Sequence, residues 1–325
     1  MSASHRLLRL SDLTLLAVAA VWGTSYGVAK LALSFYPVLG FLALRFGITF
    51  VLLMPALLRA SAAQRRDALR IGLPLGALML GIFLCETFGV AHTQASNAAF
   101  LISLCVVFTP FAEWALLGRR PVLALFGFAG VSFAGVALLC GGFGRLNGGD
   151  GLMLLAAVLR AVTVCQTARL TRRREVSALA LTAVQSGVIA LGCLLLALAT
   201  PSGLPKLPEL PGAGAFWIAT VYLVAGCTVF AFFAQNWALK HSAPSRVALL
   251  MGSEPAFGAL FAVLWLGERL SAIGWLGGGL IVLAALWATL RPEMGSQDGK
   301  DLSEAALTAS HSSLPDGRHR TPDLC

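Results

Sequence analysis

Five charged side chains interrupt long apolar runs: Lys30 in VWGTSYGVAK, Arg45 in FLALRFGITF, Glu86 in LMLGIFLCETFGVA, Arg160 in GLMLLAAVLRAVTVCQ and Glu254 in MGSEPAFG. An ionised group in such a run is costly unless it pairs, faces a water-filled cavity or reaches an interface, so each marks a candidate position for transport or coupling. Trp22, Tyr26 and Lys30 follow at four-residue spacing, roughly on one side of a helix. Aromatic walls with a cation would suit an amphiphilic or carboxylate-bearing cargo. Lys30 also lies about 9 Å beyond the middle of its run by helical rise, close enough to an interface for its ammonium to snorkel out.

Glu86 falls at about the depth of Lys30, with Arg45 slightly deeper. Two cations and one acid near one level make either a structural ion-pair network or a proton- or substrate-coupled one. Pairing would hold Glu86 ionised; burial without a partner would make it a proton carrier. Arg160 is too deep in its run to snorkel easily. Glu254 stands immediately before Pro255, whose missing N–H bends a helix and frees a carbonyl near the carboxylate. Gln235, with Gln166, Gln185 and Asn236, supplies uncharged partners. Glu113 lies close to Arg119 and Arg120, so a surface ion pair is expected there. His92, Gln94, Ser96 and Asn97 fall in a short turn, where exposure and helix capping are the default roles.

The elements that position these groups follow from composition. The 325-residue chain is 58% hydrophobic and 12% charged, with a mean hydropathy of +0.81, so it cannot cover a soluble surface of that size with charge. Lipid as the outer solvent resolves the deficit. Splitting the apolar sequence at charges and Gly/Pro clusters predicts ten spans, at 12–34, 37–58, 71–91, 95–117, 121–140, 151–170, 177–199, 213–239, 245–266 and 272–290. The formal charge of +9 resides in short basic runs between spans, a positive-inside pattern and not a nucleic-acid-binding face. With the N-terminus inside, the inner loops hold Arg59, Arg65, Arg66, Arg70, Arg119, Arg120 and Arg172 to Arg174, and the outer ones only Arg145, Lys206 and Arg269. Both termini are then cytoplasmic. The seven cysteines show no metal-ligand spacing, and neither a nucleophile constellation nor a nucleotide-binding motif occurs. No metal, no cofactor and no enzymatic activity are expected.

The chain also repeats itself. NAAFLISLCVVFTPFAEWALLGRRP from Asn97 aligns with RVALLMGSEPAFGALFAVLWLGERL from Arg246, at an offset of 149 residues, and SDLTLLAVAAVW from Ser11 resembles GDGLMLLAAVLR from Gly149. Five spans per repeat is an odd number, so the second half must be inverted in the bilayer, the arrangement that gives a secondary carrier two openings around one midplane site. The fold class expected is an all-α polytopic membrane protein, ten transmembrane helices as two inverted five-helix repeats.

Several stretches resemble the drug/metabolite transporter superfamily, and specifically its ten-helix members with two EamA repeats. They are WGTSYGVAK, ALRF around Arg45, TQASNAAFLISLCVVFTPFAEWALLG from Thr93 and SEPAFGALFAVLWLGERLSAIGWLGGGLIVLA from Ser253. The resemblance spans residues 12 to 290 and implies an inner-membrane carrier with a central cavity between its halves, handling amino acids, other metabolites or toxic amphiphiles, usually outward. One departure is Glu268 of GER, matched in the first half by Arg119 of GRR.

The expected organisation is a cytoplasmic N-terminus (1–11), a first EamA-like repeat (12–140), an outer linker (141–150), a second repeat (151–290) and a disordered cytoplasmic tail (291–325). The function expected is a secondary carrier moving a small metabolite or amphiphile, an amino acid among the candidates, by alternating access. The alternative is a passive channel, or a non-transport membrane protein on the same scaffold. Expected partners are a small-molecule substrate and the lipid bilayer. Gly-rich WLGGGLIVL around Trp275 would allow close helix contact, within the bundle or with a second copy in a homodimer.

Overall fold

The computed structural model describes residues 3–92, 98, 101–118, 123–139, 147–172, 174, 176–201, 203–204, 206–209, 213–265 and 271–290. In these the chain is all helix and turn. In order, the elements are α1 (Ala3–Leu33), α2 (Val38–Arg59), α3 (Ala62–His92), α4 (Cys105–Leu117), α5 (Leu123–Leu139), α6 (Gly148–Thr171), α7 (Ala178–Ala199) and α8 (Gly214–Tyr222). A π-helical segment (Leu223–Phe230), α9 (Ala231–His241), α10 (Pro244–Met251), α11 (Glu254–Trp265) and α12 (Ala272–Leu290) follow.

Six stretches are long and apolar enough to cross a membrane: Leu10–Leu33, Val38–Arg59, Ala62–His92, Gly148–Thr171, Ala178–Ala199 and Gly214–Lys240. Leu101–Leu117, Leu123–Leu138 and Ala272–Ala284 are shorter apolar helices. The predicted span at 245–266 is divided at Gly252 and Ser253 into α10 and α11. Pro255 thus falls in the first turn of α11, where its missing N–H leaves no bond unmade, and the bend expected there is a full interruption. Local signals set other ends. Asn147 and Asp150 form a reciprocal capping box at the start of α6, and Gly118, at φ 66°, ends α4 in the left-handed conformation that glycine adopts without strain.

Polarity is distributed as lipid requires. Leu191, Ile218, Leu264, Trp275, Leu276 and Trp287 face outward, whereas Arg45, Gln185, Asn236, Arg246 and Glu254 are buried. Helices of the first half pack mainly on those of the second: α2 on α7, α3 on α6 and α7, α5 on α12, and α1 on α9, α10 and α11. Glycines allow the tightest approaches. A Cβ on Gly135 would lie 2.8 Å from the Gly277 carbonyl, so the Gly-rich run of α12 meets α5 within the same molecule.

The crossing of α1 and α11 positions the centre of the bundle. A Cβ on Gly23 would stand 2.6 Å from the Glu254 carbonyl oxygen and 2.7 Å from the Gly258 nitrogen. Both are backbone atoms, so the neighbour cannot swing away. Gly23→Ala should therefore lower stability by about 1–3 kcal/mol, whereas Gly27→Ala, whose Cβ would meet nothing within 4 Å, should not. Thermal unfolding of the two variants in detergent, side by side, checks this; equal melting temperatures would refute it.

Candidate functional site

The α1–α11 crossing brings Trp22 and Tyr26 beside Glu254, and α6 delivers Arg160 from the opposite side. The Arg160 Nη2 atom lies 3.4 Å from Glu254 Oε2, and its guanidinium stacks 4.5 Å from the centre of the Trp22 ring. Trp22 is itself fixed, its indole N–H donating to the Cys227 carbonyl at 2.8 Å. Tyr26 is buried, with its hydroxyl beside the Glu254 carboxylate. The carboxylate of Glu254 thus faces a cation on one side and a phenol on the other.

A second cation enters from α2. Arg45 is buried, donates from Nε to Thr228 Oγ1 at 3.0 Å, and lies 5.2 Å and 5.6 Å from the ring centres of Phe46 and Phe83. Phe46, Phe83 and Phe232 pack on one another, with centroids 4.6 to 6.1 Å apart, and Trp22 meets Phe232 edge-on. Glu86 completes the group from α3, within electrostatic reach of Arg160, Glu254 and Arg45. Among the described residues, Arg160–Glu254 is the bridged pair of this cluster. Among the described residues, neither Glu86 nor Arg45 has an oppositely charged group within 4 Å.

These side chains surround a cavity of about 50 Å³, bordered by Trp22, Arg45, Phe83, Glu86, Arg160 and Gln235 among others. That volume admits a few water molecules and no metabolite. Two arginines and two glutamates balance in charge, and aromatic rings form the remaining walls. A molecule with a positive group, a negative group and an apolar body matches that lining.

The predicted residues divide accordingly. Trp22, Arg45, Glu86, Arg160, Gln235 and Glu254 converge on the cavity. Tyr26 stands behind Glu254. Lys30 does not join them: it is exposed in the last turn of α1. Eight residues of α-helix turn it about 80° away from Trp22, so four-residue spacing kept the pair on one side only loosely. Gln235 donates to the Met251 sulfur at 3.5 Å, while Asn236 donates to Thr182 Oγ1 and Gln185 Oε1, each at 3.0 Å.

Glu113 is buried and not at the surface as expected, and its carboxylate accepts from the backbone N–H of Ser245 at 3.2 Å and from the Ser245 hydroxyl. Arg119, Arg120, Gln94, Ser96, Asn97, Arg145, Glu268 and Arg269 lie outside the described residues. His92 is exposed, its Nδ1 bonded to the Phe88 carbonyl oxygen. Sequence reasoning missed the pair next to Glu113. Arg246 donates to both carboxylate oxygens of Asp12, from Nε at 3.1 Å and from Nη2 at 2.7 Å, with both residues buried. Each is a charge one or two residues inside an apolar run, which was the available signal.

Comparison with known proteins places this geometry in a family. The model described as "EamA-like transporter family" matches residues 9–141 and 147–290. An uncharacterised transporter of Archaeoglobus fulgidus is 29% identical over 289 residues, 86% of each chain. The "Probable terminal-alkyne amino-acid exporter" of Streptantibioticus cattleyicolor is 25% identical over 82% of this chain and 89% of its own. The "Uncharacterized inner membrane transporter YedA" of Escherichia coli K12 is 26% identical over 85% and 89%. A solved crystal structure shares the fold, with a TM-score of 0.67 at 21% identity over 86% of this chain and 96% of that one.

Proposed function

The chain belongs to the EamA-like transporter family and is therefore a multi-pass membrane transporter of small molecules and not an enzyme; on that premise we propose that it carries zwitterionic amphiphiles, amino acids with apolar side chains foremost, outward by alternating access. The observation that carries this reading is the charge-balanced cavity. The arginine and the glutamate without an ionic partner, Arg45 and Glu86, take the substrate carboxylate and ammonium respectively. The Phe46–Phe83–Phe232 group and Met79 receive its apolar body. The amino-acid exporter among the relatives supports the substrate class, and the inner-membrane transporter supports location in the inner membrane.

In this reading the chain crosses the membrane ten times as two inverted repeats, 12–140 and 151–290, with both termini cytoplasmic. Two observations support it. The family model matches twice, in two stretches of similar length. The packing pattern is that of a pseudo-twofold: second span on seventh, fifth on tenth, third on sixth and first on eighth. A carrier is favoured over a channel because the cavity is too small for a permeating metabolite, so opening must accompany passage.

The test is flux in proteoliposomes with three related probes: leucine, its carboxamide and the amine it yields on decarboxylation. Saturable flux of leucine alone supports the reading; equal flux of all three would overturn the zwitterion assignment. Glu86→Gln should raise the KM for leucine about 10- to 100-fold, the worth of a charged hydrogen bond. It should leave the melting temperature nearly unchanged, because no bridge is broken. An unaltered KM would remove Glu86 from the site.

A further inference from the structure

A second cavity, far larger than the first, opens on the outside of the bundle. It measures about 810 Å³ and is almost entirely apolar. Its floor is the seam where α2 meets α7, with Gly40, Gly47 and Gly187 leaving room, and Leu69 and Leu73 of α3 close one side. Along α2 the lining runs from Leu57 to Gly40, about 25 Å of helical rise. The half that starts at Leu57 covers the reach of one acyl chain from its headgroup to the midplane of a hydrocarbon core about 30 Å thick.

The end at Leu57 and Leu69 is strongly basic. Arg59, Arg65, Arg66 and Arg70 are all exposed around the α2–α3 turn. Arg66 and Arg70 share the face of α3 that carries Leu69 and Leu73 into the groove, since positions three and four apart stack on one side. Among the described residues the acid of this patch, Asp67, is bridged by Arg174 at 2.7 Å, and no ion pair involves Arg59, Arg65, Arg66 or Arg70. The patch therefore presents guanidinium groups to lipid phosphates directly below the apolar channel.

We infer that this groove is a binding site for an anionic phospholipid, with one acyl chain between α2, α3 and α7 and the phosphate headgroup held by Arg66 and Arg70. Arginine matches phosphate oxygens in bidentate geometry, and the apolar channel supplies the register that a purely electrostatic contact lacks. The site is separate from the charged central cavity, and its test does not involve transport.

The experiment titrates the detergent-purified full chain with phosphatidylglycerol or with phosphatidylcholine bearing the same acyl chains, counting bound lipids by native mass spectrometry. Phosphatidylglycerol should be retained about 25-fold more tightly, roughly fivefold for each arginine. The double variant Arg66→Gln/Arg70→Gln should abolish that preference. Gly47→Phe, whose Cβ enters open space, should fold normally and weaken retention of both lipids. Equal retention of the two lipids by the unaltered protein would overturn the proposal, as would a preference that survives the arginine replacements. Undiminished binding in Gly47→Phe would do so too, since it reduces the contact to surface charge. A dimer mass in place of lipid adducts would assign the groove to a second copy and overturn it as well.

Discussion

Arg160→Ala should abolish transport, lowering flux about 100-fold or more, and should also destabilise the protein by about 3–5 kcal/mol. The arginine contacts two of the groups around it, bridging Glu254 at 3.4 Å and stacking on Trp22, and lies within electrostatic reach of Glu86. Removing it leaves the buried Glu254 carboxylate without its bridged cation and within electrostatic reach of Glu86, and a buried charge stripped of its partner costs more than the pair ever contributed. Arg160→Lys keeps the charge and loses the planar stack, so it should be stable yet slow. The decisive comparison is the double variant Arg160→Met/Glu254→Met. It replaces both ions by apolar side chains, and stability should return while transport stays absent. Thermal unfolding and proteoliposome flux, measured together, separate the two effects. A double variant that transports normally would show that the pair is only structural.

The second large effect belongs to Asp12 and Arg246. Among the described residues Arg246 is the largest fully buried side chain, and its two hydrogen bonds to Asp12 join α1 to α10 across the two halves of the chain. Asp12→Ala should cost about 3–5 kcal/mol, because a fully buried guanidinium loses two charge-assisted hydrogen bonds to a carboxylate. Asp12→Leu combined with Arg246→Met should recover most of that loss, measured as the midpoint of thermal unfolding. If the single replacement is silent, water reaches Arg246 and the pair is not dry. Ser245, adjacent in sequence, bonds Glu113 of α4, so this end of the bundle is tied at two neighbouring points.

These two predictions rest on features that differed greatly in how visible they were beforehand. A charge inside an apolar run is costly wherever it lies, so Arg45, Glu86, Arg160 and Glu254 announced themselves from one-dimensional context. Their convergence on one cavity follows from that same cost, since few other places in a bundle can hold them. Partner identity is another matter. The Glu113 carboxylate accepts from Ser245, 132 positions away. Asp12 and Arg246 are 234 positions apart. Such pairings are decided by how helices cross, which depends on close approaches such as Gly23 against Gly258 and leaves little trace in either helix alone. Lys30 illustrates the opposite error, in which spacing suggested a shared face that helix phase then rotated away.

The π-helical stretch from Leu223 to Phe230 can be viewed as a phase shift in the chain. Its wider turns absorb surplus length, so the residues before it and those after it present faces that a uniform α-helix would not align. Thr228, whose hydroxyl bonds back to Leu223 and receives the Arg45 guanidinium, sits inside the shift; Phe232, Gln235 and Asn236 lie downstream of it. Deleting one residue there would leave composition and hydropathy almost untouched. Because the wide turns already hold that surplus, its loss would let the stretch close towards ordinary α-helix with Gln235 and Asn236 kept nearly in place. The same deletion in the α-helical turn just after it, at Ala231 to Ala234, would instead turn Gln235 and Asn236 by about 100°, away from the cavity wall and from Thr182 and Gln185.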